Sequence, residues 1–214
     1  MKEKTFNIGL GGYRMLQAPN ITTTQMMSYL ITTPNEELVV IDGGWREDAE
    51  YLIDKIHEFG SVVSLWIITH MHHDHYLALT QILEKEDRYG ITIKKLCYNF
   101  PPQEWILDAE PQFADNNKIF FAVLPKVEDI THIVEEGEKL EIDGMTVEIM
   151  HVPDDYNDYD PGYTGGSTVN DTSIVFKLIF PNGKTALFLG DLGFRAGQKI
   201  AEKLGEKLKS DIVQ

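Results

Sequence analysis

The sequence predicts an α/β fold in which two β-sheets stack on one another and helices cover their outer faces. Three observations point there. β-like and helical segments alternate through the first half, the second half is dominated by two hairpin patterns, and an amphipathic segment lies close to the C-terminus. The 214 residues, 43% of them hydrophobic, suffice for one sizeable core, so 1–214 is read as a single domain.

"MMSYLIT" and "ELVVIDGG" are rich in branched and apolar residues and flank the turn signal "TPNE", which predicts an antiparallel pair. "REDAEYLIDKIHEFG" carries Ala49, Leu52, Ile53 and Ile56 at helical spacing and stops at Gly60, the pattern of an amphipathic helix. "VVSLWIIT" is a continuous apolar run suited to a strand buried on both faces. A helix from about His75 to Glu86 is expected next, then a strand in "IKKLCYNF" and a partly helical stretch from Pro101 to Val127. "KLEIDGMTVEIMHV" and "TSIVFKLIFPNGKTALFLGDL" read as hairpins with type I′ turns at Asp143-Gly144 and Asn182-Gly183. The helix "AGQKIAEKLGEKLK" is expected to close the chain.

Acidic residues outnumber basic ones 34 to 19, giving a formal charge of -15. Such a surface repels phosphate backbones and anionic membranes, which argues against broad nucleic-acid binding and for a small-molecule substrate. Cys97 is the one cysteine, so no intrachain disulfide can form; it is read as a buried strand residue rather than a nucleophile. No secretory signal or membrane-length apolar run is evident, and a cytoplasmic location is expected.

The chemistry concentrates in "IITHMHHDHYLAL", Ile67 to Leu79. If His70 and His72 continue the strand direction, their side chains point the same way and one metal can take both. Asp74 and His75 fall where strand gives way to helix and diverge enough to reach a second ion. Imidazole and carboxylate without thiolate suit zinc, and also iron or manganese. Asp42 in "VVIDGG" and Asp191 in "LFLGDL" each end an apolar strand beside glycine, and a carboxylate there is costly unless paired or metal-bound. Asp191 suits a bridge between two cations. Asp42 either orients a ligand histidine without touching metal or caps the turn before Gly43-Gly44. His73 is read as a bystander.

"HMHHDH", with "IDGG" before it and "LFLGDL" after it, resembles the H-x-H-x-D-H signature of the metallo-β-lactamase superfamily, and the similarity runs from about residue 25 to the end. The resemblance implies a four-layer αβ/βα metallo-β-lactamase sandwich with two zinc ions between the sheets. It places His70 and His72 on the first, Asp74 and His75 on the second, and Asp191 between them. Asp74 would also orient the attacking metal-bound hydroxide.

Three departures stand out. Where many members have a "TPGHT" motif, this chain has "HVPDDY" and then "NDTSIV", leaving His151, Asn170 and Asp171 as candidates for a third ligand or a substrate contact. "NDTSIV" is similar to competence-type members, the hydrolase domains of bacterial DNA-uptake proteins. "DHYLAL" replaces the usual glycines, so Tyr76 either narrows the pocket or packs at a helix start. The chain stops at "SDIVQ", where relatives continue into residues that complete the second metal site, so a C-terminal truncation beyond Gln214 is expected.

The competence-type likeness implies a hydrolase of a phosphoester or phosphodiester. The alternatives are hydrolysis of a carboxylic ester, thioester, lactone or β-lactam, or a metal- or partner-binding module without turnover. In "PDDYNDYDPGYTGG", aspartates and tyrosines interleave from Pro153 to Gly166, a pattern that suits either a solvated acidic loop or capture of a cationic substrate group. His57 and His132 read as surface residues, and Trp45, Trp66 and Trp105 as packing.

Overall fold

The computed structural model describes residues 4–6, 9, 11–153 and 169–214. The acidic, tyrosine-rich stretch singled out in the sequence lies outside them from Asp154 onward. The first sheet is built from β1 (Lys4–Phe6), β2 (Arg14–Gln17), β3 (Ser28–Thr32), β4 (Leu38–Asp42), β5 (Val62–Ile67), β6 (Thr92–Ile93), β7 (Leu96–Tyr98) and β8 (Thr131–Ile133). Its order is β1-β2-β3-β4-β5-β7-β8, with β6 also paired to β5. The second sheet has β9 (Lys139–Ile142), β10 (Met145–His151), β11 (Val175–Ile179), β12 (Thr185–Phe188) and β13 (Ile212–Val213), in the order β13-β12-β11-β10-β9.

Alternation along the strands builds the layers. Val39 and Ile41 of β4, with Leu65 and Ile67 of β5, face Val147, Ile149, Phe176, Leu178 and Phe188 of the other sheet. Their neighbours Leu38, Val40 and Trp66 face the opposite way. There they meet α1 (Ala49–Glu58) and α2 (His73–Glu84), while Phe120 of α4 (Ala114–Val123) joins the same core. α3 (Gln103–Ala109) packs beside α4. On the far side, Met150, Val175 and Leu187 pack with Ile200 of α5 (Phe194–Leu204). The arrangement is therefore helix, sheet, sheet, helix, as the sequence predicts.

β3 and β4 pair antiparallel, and α1 buries the four residues expected of it. Three details differ. α2 begins at His73, two residues earlier than expected, because the turn after β5 is confined to residues 68–72. The Asp143-Gly144 turn has positive φ at both residues (50° and 83°), as type I′ requires. The second hairpin does not: Pro181 and Asn182 keep negative φ and only Gly183 is left-handed (φ 81°). Phe180 accepts a hydrogen bond from Gly183 N–H and donates to Lys184 O, which makes a three-residue loop in place of a two-residue one. Pro181 favours this loop, since its ring fixes φ near the value that the first central position of a type I turn takes, and Gly183 supplies the left-handed residue that follows. Finally, α5 does not close the chain; β13 follows and pairs parallel with β12.

Candidate metal centre

Asp42 anchors the site from the end of β4. It is 2% exposed and takes a left-handed φ of 57°, which aspartate tolerates better than most residues. The backbone bend turns its carboxylate toward the next strand's exit. Oδ1 accepts the Thr69 N–H at 2.8 Å, the Thr69 hydroxyl lies 3.0 Å from Oδ2, and His75 Nδ1 lies 2.8 Å from Oδ2. Ser28 and the Trp66 indole hold the Asp42 carbonyl from behind. Gly43 is glycine because α2 passes so close: a Cβ there would sit 3.3 Å from the Leu79 nitrogen.

His70 and His72 do not continue a strand. Both lie in the turn between β5 and α2, with ring centroids 4.9 Å apart and planes at 71°. Asp74 and His75 stand in the first turn of α2. Asp191 follows β12 in a loop clamped from two sides, its N–H bonded to Ser173 Oγ and the preceding Leu189 and Gly190 N–H groups to Gln214 Oε1. Gly190 is required there: it has φ 59°, and a Cβ would lie 2.6 Å from Ser173 Oγ.

Among the described residues, His70, His75 and Asp191 form one group whose ligand atoms all lie within 4.8 Å of one another. His75 Nε2 is 3.5 Å from Asp191 Oδ2 and 3.7 Å from Asp74 Oδ2. Nε2 of His70 and of His75 are buried without a hydrogen-bond partner. Native interiors rarely leave such atoms unpaired, and a nitrogen and oxygen donor set converging on them fits a divalent cation. Burial, followed by the charges of His75 and His72, holds His70 well below the usual imidazole range; the Asn170 side chain opposes this. Burial also disfavours charge on His75, but Asp42, assisted by Asp191 and Asp74, outweighs it and pushes the pKa up to about 10. Asp191 is lowered despite burial by the imidazole of His75, 3.5 Å away, with a smaller contribution from His72.

His72 stands slightly apart, its Nε2 3.0 Å from Oε2 of Glu110. Glu110 is 6% exposed, at the turn between α3 and Pro111. Sequence reasoning missed it, since nothing in "DAEPQF" signals a site. It also missed Thr69, the 1% exposed residue that ties the His70 turn to Asp42. His73 faces away, between Trp45 and Phe113 with ring centroids 5.2 and 4.5 Å distant. His151 ends β10 with Nδ1 3.4 Å from Glu136 Oε2 and is not in the three-residue group. Asn170 opens a short 3-10 turn beside His70, its Oδ1 buried and unpaired. Asp171 is engaged elsewhere: Oδ1 accepts the Gly193 N–H at 3.0 Å, holding the start of α5. Tyr76 is fully buried and its hydroxyl donates to Asn117, so it packs and does not line a pocket.

Residues 21–209 match the family model of the metallo-beta-lactamase superfamily. The chain belongs to this superfamily. This metallo-β-lactamase-superfamily chain is 26% identical to the hydroxyacylglutathione hydrolase GloC of Haemophilus influenzae over 179 residues, 83% of this chain and 71% of that one. In structure it is similar to a B3 metallo-beta-lactamase described as having an active-site glutamic acid (TM-score 0.57, 14% identity, 94% of this chain and 74% of the other). It is also similar to a Cronobacter sakazakii metallo-beta-lactamase with a HARLDQ motif (TM-score 0.51, 17% identity, 86% of this chain). The chain spans about three fifths of the length of that protein, 63%. These structural likenesses speak to the fold. The superfamily and the GloC relative together point to a metallo-hydrolase.

Proposed function

We propose that the chain is a metal-dependent hydrolase acting on a small phosphoester or phosphodiester. The convergence of His70, His75 and Asp191 around partnerless buried nitrogens carries the hydrolase reading. Zinc is the proposed metal, with iron or manganese compatible with the same donors. A bound divalent cation supplies Lewis acidity, polarising the ester oxygen and easing loss of a proton from water.

The chain's own residues do the rest. His70, His72 and Asn170 are assigned to a first cation, Asp74 and His75 to a second, and Asp191 between them. His151 is the other candidate beside Asn170, but Asn170 is favoured by its buried, unpaired oxygen next to His70. Asp42 accepts a proton-bearing Nδ1 of His75 and so keeps Nε2 facing the cluster. The imidazoles of His70 and His75 are fully buried, whereas the Asp74 and Asp191 side chains are 19% and 33% exposed. Substrate therefore approaches from the carboxylate side, where Asp74 can orient the attacking water and take its proton. The negative overall charge suits a small ester better than a polyanionic strand.

The phosphoester preference rests on "NDTSIV". The GloC relative favours a second reading, hydrolysis of a thioester. Assays of zinc-loaded protein on bis-p-nitrophenyl phosphate and on a hydroxyacylglutathione thioester separate them. Phosphodiester turnover that disappears in His72→Ala and Asp191→Ala supports the first; thioester turnover alone supports the second. Unchanged turnover in both variants, or none on any ester, overturns the hydrolytic site and favours a non-catalytic binding module. A cytoplasmic location belongs to the same proposal, consistent with one buried thiol.

A further inference from the structure

We propose that Glu110 is a positioning residue that fixes the His72 ring with its proton on Nε2, so that His72 meets the first cation through Nδ1. The inference rests on the metal-binding reading above and deepens it. Nε2 and Oε2 are 3.0 Å apart, and both side chains are largely buried, 14% and 7% exposed. A carboxylate in so dry a place is costly unless something compensates it, and an imidazole N–H polarised by a cation on its other nitrogen does so. An imidazole whose Nε2 donates to a carboxylate can ligate only through Nδ1.

The local chain is shaped for this contact. α3 ends at Ala109, and Glu110 takes an extended φ of -138° that Pro111 enforces on the residue before it. The Glu110 carbonyl accepts the Phe113 N–H, which folds the turn back. Phe113 then lies against His73 and, at 6.1 Å, against His72, so one turn supplies both the carboxylate and an apolar wall. The site thus contains two carboxylate–histidine pairs of opposite sense. Asp42 holds His75 by Nδ1, and Glu110 holds His72 by Nε2.

The test compares the full chain with Glu110→Ala, Glu110→Gln and His72→Ala. In metal-free protein, long-range proton–nitrogen NMR reads the His72 tautomer. The wild type is expected to show a protonated Nε2, Glu110→Gln to keep it through the amide oxygen, and Glu110→Ala to populate both tautomers. Zinc competition against a chromophoric chelator is expected to show about a tenfold to hundredfold loss of affinity in Glu110→Ala, largely restored in Glu110→Gln. Adding Glu110→Ala to His72→Ala should cost nothing further. An Nδ1-protonated His72 in the wild type, or an equal affinity loss with and without His72, overturns the proposal. A wild type that binds no zinc overturns the metal reading instead, and the tautomer comparison still decides whether Glu110 sets the ring.

Discussion

Asp42→Asn isolates what a carboxylate does that its isosteric amide cannot. Asparagine tolerates the left-handed φ of 57° as well as aspartate, so the backbone is not the variable. The amide oxygen can still accept from Thr69, but the other terminus becomes an NH2 placed 2.8 Å from His75 Nδ1. Two facing N–H groups are untenable, so the proton on His75 must move to Nε2, the nitrogen that lies 3.5 Å from Asp191. Returning it to Nδ1 for metal binding leaves a buried group unpaired, a cost of about 1–3 kcal/mol. At 1.4 kcal/mol per decade this predicts about a tenfold to hundredfold loss of zinc affinity in a chelator competition.

The same substitution removes the charge that keeps His75 protonated in the metal-free protein. His75 is raised from 6.5 to about 10 by Asp42, against the effect of burial. A group raised on folding contributes stability that is fully present below its unfolded pKa and is lost as the pH climbs through its folded one. Urea unfolding without metal should therefore show the Asp42→Asn defect at its greatest just below pH 6.5, where breaking a buried pair costs about 3–5 kcal/mol, shrinking toward pH 10 and shrinking again in acid, where the Asp42 carboxyl, raised by burial, takes up its proton. Zinc affinity equal to wild type, together with a pH-independent stability change, would refute the tautomer argument.

Asn170→Ala and Asp171→Ala should separate two neighbours. The first is expected to weaken zinc binding, whereas the second loses the hold on Gly193 and costs about 1 kcal/mol in urea unfolding with zinc affinity intact. Tyr76→Phe removes the hydroxyl that donates to Asn117 and should cost about 0.5–1.5 kcal/mol of stability with turnover unchanged; a fall in turnover at constant metal content would show the hydroxyl acting on substrate. Cys97 is fully buried and its thiol is pushed up to about 12 by desolvation, so a disulfide reagent at pH 8 should label it only as urea unfolds the chain.

The parts legible in the sequence are those that one segment dictates by itself. β4 and β5 announce themselves as apolar runs because both their faces are buried, and α1 by a spacing that matches its buried stripe. β6, β8 and β13 are two or three residues long, too short for any period to show. The idea that His70 and His72 extend a strand failed for a tertiary reason. Asp42 captures the Thr69 N–H and hydroxyl, which ends the strand pattern just before the first histidine. Glu110 was invisible because it lies 38 residues from His72 and joins it only through the α3 turn.

The four histidines of "HMHHDH" are chemically identical in the sequence, and the fold distinguishes them by what occupies the rest of each ring. Asp42 takes Nδ1 of His75, and Glu110 takes Nε2 of His72. His70 has only the Thr69 hydroxyl at 3.1 Å on Nδ1, with its Nε2 buried and unpaired. His73 is enclosed by Trp45 and Phe113 and stands outside the group formed by His70, His75 and Asp191. The three rings tied to Asp42, Thr69 or Glu110 are those assigned to metal, and the one enclosed by aromatic rings is not. The sequence already sets His73 apart from the other three, but the groups that enforce the division come from β4, from the turn before His70 and from the end of α3. A substitution at Asp42 should therefore act first on His75 and one at Glu110 on His72, whereas one at Thr69, whose hydroxyl lies 3.1 Å from His70 Nδ1 and 3.2 Å from His75 Nδ1, should alter both of those rings; a loop of freely solvated imidazoles would show no such selectivity.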